Sequence, residues 1–234
     1  MQVIENIRKL SLWIFILPFL AINFCLFISI NYEFLDGTIF SVDQLGRSNF
    51  VIPYIDGSLS ISRASRTFPQ YLIFKPSMII CAIMLYFYWQ NNNKLVNSFY
   101  ETKNINYKFK IFGILSAVFL VIHSIFLGIK FDIQIYKLFR RVVLLLFIIF
   151  EIIAQGILVY NFFKLKEKIK NLFNYKILKC KILLVSTLSV IGLLSIPLLV
   201  TKGNTHIKHA LEWNFFLGVI LFYFLTRFLW RRTT

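Results

Sequence analysis

Apolar residues along this chain gather into six runs too long for the core of a globular domain. They cover about Leu10 to Ile30, Tyr71 to Trp89, Ile111 to Ile129, Val142 to Phe163, Ile182 to Val200 and Ala210 to Trp230. A bilayer core about 30 Å thick needs roughly 20 apolar residues in a helix, because lipid gives unpaired backbone groups no partner. Each run meets that length. The expected fold is all-α, a six-transmembrane-helix bundle forming a single polytopic membrane domain over residues 1–234. No internal repeat, proline-rich linker or low-complexity tail divides it. The first run follows Arg8 and Lys9 as a signal peptide would, but it exceeds a usual h-region and no small-x-small cleavage site follows. It reads as a retained span.

Between the first and second runs lies the only sizeable polar segment, about Asn31 to Gln70, expected to form a structured exoplasmic loop. It holds two turn signals, Asp36-Gly37 and Asp56-Gly57. Around the second, Phe50 to Ile55 precedes Ser58-Leu59-Ser60-Ile61-Ser62, which alternates polar and apolar with a period of two. The pattern predicts a short hairpin over the outer ends of the helices, with Pro53 confining its first arm to an edge.

Charge sets the orientation. Charged residues make up only 15% of the chain, against roughly 25% in soluble domains, which excludes an ordinary cytosolic enzyme. Sixteen of the 26 Lys and Arg fall on the side of the two termini and the second and fourth loops, and nine on the other; Lys75 lies within a span. The positive-inside rule then places both termini in the cytoplasm. The net charge of +16 flanks apolar runs, where it meets anionic headgroups, so the expected partners are membrane lipids and not nucleic acid. The lysine cluster from Lys164 to Lys181 offers a second surface, for protein partners on the cytoplasmic face. Three cysteines at 25, 81 and 180 form neither a disulfide framework nor a zinc pattern.

Polar residues among the apolar runs are the candidates for chemistry, since ionisable groups at membrane depth are costly. His123 lies in the outer half of the third span, and Glu212 near the outer end of the sixth, with His209 three residues before it. Glu151 and Gln155, four apart, share a helix face near mid-depth. In the loop, Asp56, Ser58, Arg63 and Arg66 sit close together and form a candidate headgroup site, with arginine forks for phosphate. The bland alternatives are that Asp56 and Ser58 cap their own turn, that Glu151 and Gln155 glue helices, and that Lys75 snorkels outward. Asn23 is expected at a helix–helix contact. Ligand types alone would admit a zinc centre from His123, His209 and Asp56 or Glu212, but nothing in their spacing calls for one; no metal or cofactor is expected. No GxSxG, HExxH, P-loop or GxGxxG string is present.

Pro53-Tyr54-Ile55, His123 and Ala210-Leu211-Glu212-Trp213, in this order and depth, resemble motifs of a known superfamily. It comprises the FGF-receptor-activating protein, the damage-regulated autophagy modulators and the GPI-anchor lipid-remodelling proteins. Where that family's loop reads Pro-x-Ile-Ser, this chain has Asp56, and Ser-Arg-Ala-Ser-Arg replaces the later Gly and Pro-Glu. The resemblance implies a multi-pass protein that binds or remodels lipid at the exoplasmic leaflet. In a catalytic version His123 would be the general base, Glu212 would orient it or act as acid, and the loop arginines would hold phosphate. Two other readings stand beside it: a non-catalytic scaffold or modulator acting through its basic cytoplasmic face, and a small transporter using Glu151, Gln155 and Glu212. The Lys-, Ile-, Asn- and Phe-heavy composition fits an AT-rich genome. The expected site is a bacterial inner membrane, or an endomembrane or plasma membrane in a eukaryotic cell.

Overall fold

The structure, a computed structural model, describes residues 2–40, 52–99, 108–129, 134–169, 171–201 and 203–231. Among these, six helices are long and apolar enough to cross a membrane: α1 (Gln2–Ile30), α4 (Gln70–Phe99), α5 (Lys108–Phe126), α6 (Gln134–Lys164), α7 (Tyr175–Val200) and α8 (Thr205–Leu229). Two short helices, α2 (Pro53–Asp56) and α3 (Ile61–Ser65), lie in the first loop. The protein is an all-α, multi-pass membrane bundle.

Packing follows the chain. Each of α1, α4, α5, α6 and α7 rests on the next in that order, α7 rests on α8, and α8 returns to α1, closing a ring. Its outside is apolar, with Leu183, Leu193 and Leu194 about 70% exposed, as a lipid-facing surface must be. One end carries the first loop; the other carries both termini. At the terminal end, Leu165, Ile169 and Phe173 join the core, and the chain beside them is tied to the end of α8 by Asn174 N–H to Leu229 O (2.7 Å) and Arg231 N–H to Leu172 O (2.9 Å).

Helix ends find partners for the carbonyls a helix leaves unpaired. Lys75 Nζ donates to Ile125 O (3.2 Å) and the Tyr136 hydroxyl to Phe126 O (2.8 Å), finishing α5. Lys75 therefore closes a neighbouring helix in addition to lying over the Tyr71 ring, 5.5 Å away.

The hairpin expected around Asp56-Gly57 is not formed. Helical turns take its place, because Pro53 presets the first residue of α2 and Ser60 opens α3 by accepting the Arg63 amide (3.2 Å). The period of two was misleading: Leu59, Ser60 and Ile61 are all buried, so the serine does not face outward as a strand would require. Phe50 and Val51 of the expected first arm lie outside the described residues. The Asp36-Gly37 turn is present, with Gly37 at φ +76°.

At the α4–α5 contact a glycine faces a tryptophan ring directly. A Cβ on Gly113 would stand 2.3 Å from the indole of Trp89, which is fully buried and has nowhere to move. Gly113→Ala should therefore cost about 1–3 kcal/mol through overpacking. The expected observation is a lower melting temperature in detergent; an unchanged one would contradict this packing.

Candidate functional site

The first two turns of α8 grip the loop by its backbone. His209 Nδ1 donates to Gly57 O (2.9 Å), Trp213 Nε1 to Leu59 O (2.7 Å) and Asn214 Nδ2 to Tyr54 O (2.8 Å). The Glu212 carboxylate accepts the backbone N–H groups of Ser62 and Ile61 at the start of α3. Acceptors and donors that a loop on a membrane would otherwise leave unpaired are thus met by side chains one helix supplies. Tyr54 stacks on Trp213 with centroids 4.8 Å apart, and its hydroxyl donates to Asn23 Oδ1 (3.1 Å) of α1. Asn23 therefore holds the loop and not a neighbouring span. Gly57 sits at φ +59° with a hypothetical Cβ 1.7 Å from the His206 carbonyl, so only glycine fits there.

Glu212 is thus engaged with the loop. His123 lies on α5, packed between α4 and α6, and among the described residues no hydrogen bond or ion pair joins it to Glu212. Asp56 and Ser58 also turn inward on themselves. Asp56 Oδ2 accepts Ile52 N–H (2.9 Å), and Oδ1 accepts the Ser58 amide (2.8 Å) and hydroxyl (2.6 Å). Burial pushes this carboxyl up, but the hydrogen bonds from Ser58 and Ile52, with His206 nearby, outweigh it and hold the group below the usual carboxylate range.

Arg63 and Arg66 are differently placed. Arg66 ends α3, its carbonyl against Gly128 beyond α5, and its charged neighbours are Arg63 and Arg140 of α6. Burial, and then those two like charges, hold the Arg66 guanidinium below its ordinary value. Arg140 is also the charged neighbour of His123. Arg140 Nε and His123 Nδ1 are buried without a hydrogen-bond partner, and none of the three arginines forms an ion pair among the described residues. Three guanidinium groups and an imidazole therefore gather at one corner, and among the described residues no carboxylate pairs with them. On the other side of the Arg66–Pro69 stretch lies an apolar groove of about 420 Å³, lined by Phe24, Phe27, Phe34, Phe40, Pro69 and Leu72.

A second polar system occupies the centre of the ring. Glu151 stands near the middle of α6, fully buried. Its Oε2 lies 2.5 Å from Ser116 Oγ of α5, and its Oε1 accepts Gln155 Nε2 (3.1 Å) and the Tyr223 hydroxyl of α8. Towards the terminal end, Tyr88 of α4 packs edge-on to Tyr223 and reaches Thr226 Oγ1 (3.3 Å), which also accepts Lys181 Nζ (2.5 Å) of α7. Lys181, counted in the sequence with the cytoplasmic lysine cluster, is fully buried, its ammonium 3.6 Å from the centroid of the Phe222 ring. Lys164, Lys168, Lys176 and Lys179 of that cluster are exposed, Lys164 and Lys179 lying over Tyr160 and Tyr175 at 4.6 and 5.0 Å.

Arg140, Lys181, Tyr88, Tyr223 and Thr226 were not singled out by the sequence. A signal existed for some: a carboxyl at mid-span needs hydrogen-bond partners at equal depth on other helices, and Ser116 and Tyr223 supply them. Among the described residues no group of three His, Cys, Asp or Glu side chains could hold a metal. No family model matches the chain, and neither a curated protein nor a solved structure matches it.

Two outcomes follow for the loop. Trp213→Phe keeps the ring but strands the buried Leu59 carbonyl, at a cost of about 1–3 kcal/mol; limited proteolysis within residues 52–66 should accelerate. Because the folded Asp56 carboxyl ionises below its unfolded range, its turn is held at neutral pH and loosens as pH falls through the folded value. Amide exchange at Ile52 and Ser58, corrected for intrinsic rates, should rise on acidification in wild type and be flat with pH in Asp56→Asn.

Proposed function

We propose that this multi-pass membrane protein holds an anionic phospholipid at its exoplasmic side, for binding or remodelling. The observation that carries this reading is the corner where Arg63, Arg66 and Arg140 converge with no ion pair among the described residues while Arg140 Nε keeps an unused donor. Guanidinium groups grip phosphate through paired N–H bonds, and a phosphate would bring negative charge to the three cations. The apolar groove beyond Pro69 suits an acyl chain: its lining is aromatic and aliphatic, and it opens on the lipid-facing side of α1 and α4. The resemblance implies the same class of ligand.

In this reading Asp56 and Ser58 shape the loop and do not touch the lipid. Glu212 fixes the loop against α8, and His123, beside Arg140, is the group placed to exchange a proton with a bound headgroup. The exoplasmic assignment follows the charge asymmetry of the loops, which puts the termini in the cytoplasm.

Native mass spectrometry of detergent-solubilised protein with phosphatidylglycerol or phosphatidylcholine tests the proposal. Wild type should retain phosphatidylglycerol preferentially. Arg66→Gln with Arg140→Gln should weaken that retention by roughly tenfold to a hundredfold, the loss of one or two charge-assisted hydrogen bonds. Equal retention of both lipids by wild type, or an unaffected double variant, would remove the headgroup claim.

A further inference from the structure

The polar column at the centre of the ring takes no part in the lipid corner, and its hydrogen atoms can be counted. Ser116 Oγ lies 2.8 Å from Gly113 O and 2.5 Å from Glu151 Oε2. A serine hydroxyl has one proton, and a peptide carbonyl can only accept. With the serine proton on Gly113 O, the 2.5 Å contact between two oxygens needs a proton from Glu151. The other oxygen, Oε1, is already an acceptor, taking Gln155 Nε2 and the Tyr223 hydroxyl. The second Gln155 N–H goes to Val219 O (3.2 Å), so the amide has no further donor to offer. All contacts become hydrogen bonds at once when Oε2 carries a hydrogen.

We propose that Glu151 is the proton-binding group of a buried site, held here as the neutral acid, which exchanges its proton with water at the terminal end of the bundle. The polar side chains in contact with Tyr223 continue on that side of it. Tyr88, Thr226 and Lys181 follow one another towards the α7 start, and Arg8 Nε reaches Arg227 O (3.4 Å) at the same end. Towards the loop, Ala21, Ile22, Phe74, Met78 and Leu120 are buried, and the buried polar groups there, Ser124 and Gln70 among them, bond to Leu120 O and Ser29 and not to Glu151. Gln155 Oε1 and Asn92 Oδ1, both fully buried, are acceptors with unused lone pairs along the polar half.

Release balances simply. The O–H bond of the acid breaks, the proton passes to water, and the Ser116 hydroxyl turns from Gly113 O to donate to the new carboxylate. The negative charge left behind keeps the Tyr223 hydroxyl and Gln155 amide as donors, with the Lys181 amine on Thr226 further along the same core. The other titratable groups facing Glu151 are Tyr223 of α8 and Tyr88 and Cys81 of α4; α5 presents the uncharged Ser116. Proton binding would thus set the charge of the ring's centre and, through α6, which also bears Arg140, would be linked to the lipid corner.

Infrared difference spectroscopy of the full chain in lipid nanodiscs is the test. Wild type at neutral pH should show the carbonyl stretch of a protonated carboxylic acid, shifted in heavy water and lost on alkalinisation. Glu151→Gln should lose the band yet keep the wild-type melting temperature, because its amide N–H₂ can stand where the acid O–H stood and donate to Ser116. Ser116→Ala should keep the band and move it to higher frequency, having removed its hydrogen-bond acceptor. Absence of a band sensitive to Glu151→Gln would overturn the proposal. So would a band indifferent to Ser116→Ala, which would place the proton elsewhere than on Oε2.

Discussion

Hydrocarbon offers no hydrogen bonds, and every polar group inside this bundle must find its partner in the protein. That single constraint organises the molecule. It forces six helices whose own backbones are satisfied, and it makes each remaining polar group conspicuous by whom it meets. At the loop end, α8 lends His209, Glu212, Trp213 and Asn214 to backbone atoms of the loop that would otherwise face lipid unpaired. At the centre, Glu151 gathers hydrogen-bond partners from α5, α6 and α8. At the corner of Arg63, Arg66 and Arg140 three guanidinium groups gather with no ion pair among the described residues, and the lipid reading rests on that.

The same helices serve more than one of these systems. α8 clasps the loop with its first turns and supplies Tyr223 and Thr226 to the central column with its last. α6 carries Arg140 near its start and Glu151 a few turns on. A shift of either helix along its axis would therefore be felt both at the loop and in the middle of the ring. The positions of the groups, not a separate hinge, provide the connection.

How much of this was legible in the sequence varied with the length of the signal. A span is a run of about 20 residues, and all six runs became helices with ends displaced by several residues, since polar flanks such as Gln90 to Ser98 continue a helix after the apolar stretch stops. The loop was harder. Five residues of alternating pattern suggested a strand, whereas Pro53 and the Ser60 cap favour helical turns, and burial on three sides erased the alternation. Among site residues, Glu151 and Gln155 do share a face and do touch, because helical spacing alone dictates it. Arg63 and Arg66 lie together for the same local reason. Their encounter with Arg140, some seventy residues on, and the burial of Lys181 depend on which helices are neighbours in the ring, and no local pattern encodes that. Lys181 was disguised by company: six other lysines precede it in sequence, and among those the structure describes it is the one that is buried.

The four tryptophans are distributed unevenly in a useful way. Trp13 stands 56% exposed on the outer face of α1, while Trp89, Trp213 and Trp230 are all at 2% or below. A quencher dissolved in the acyl chains therefore extinguishes Trp13 alone and leaves the emission of the other three. Of those three, only Trp213 belongs to the loop end, where Tyr54 and the Leu59 carbonyl cover it. The chain thus contains its own optical gauge of whether the loop is seated, readable in a native membrane with no label attached.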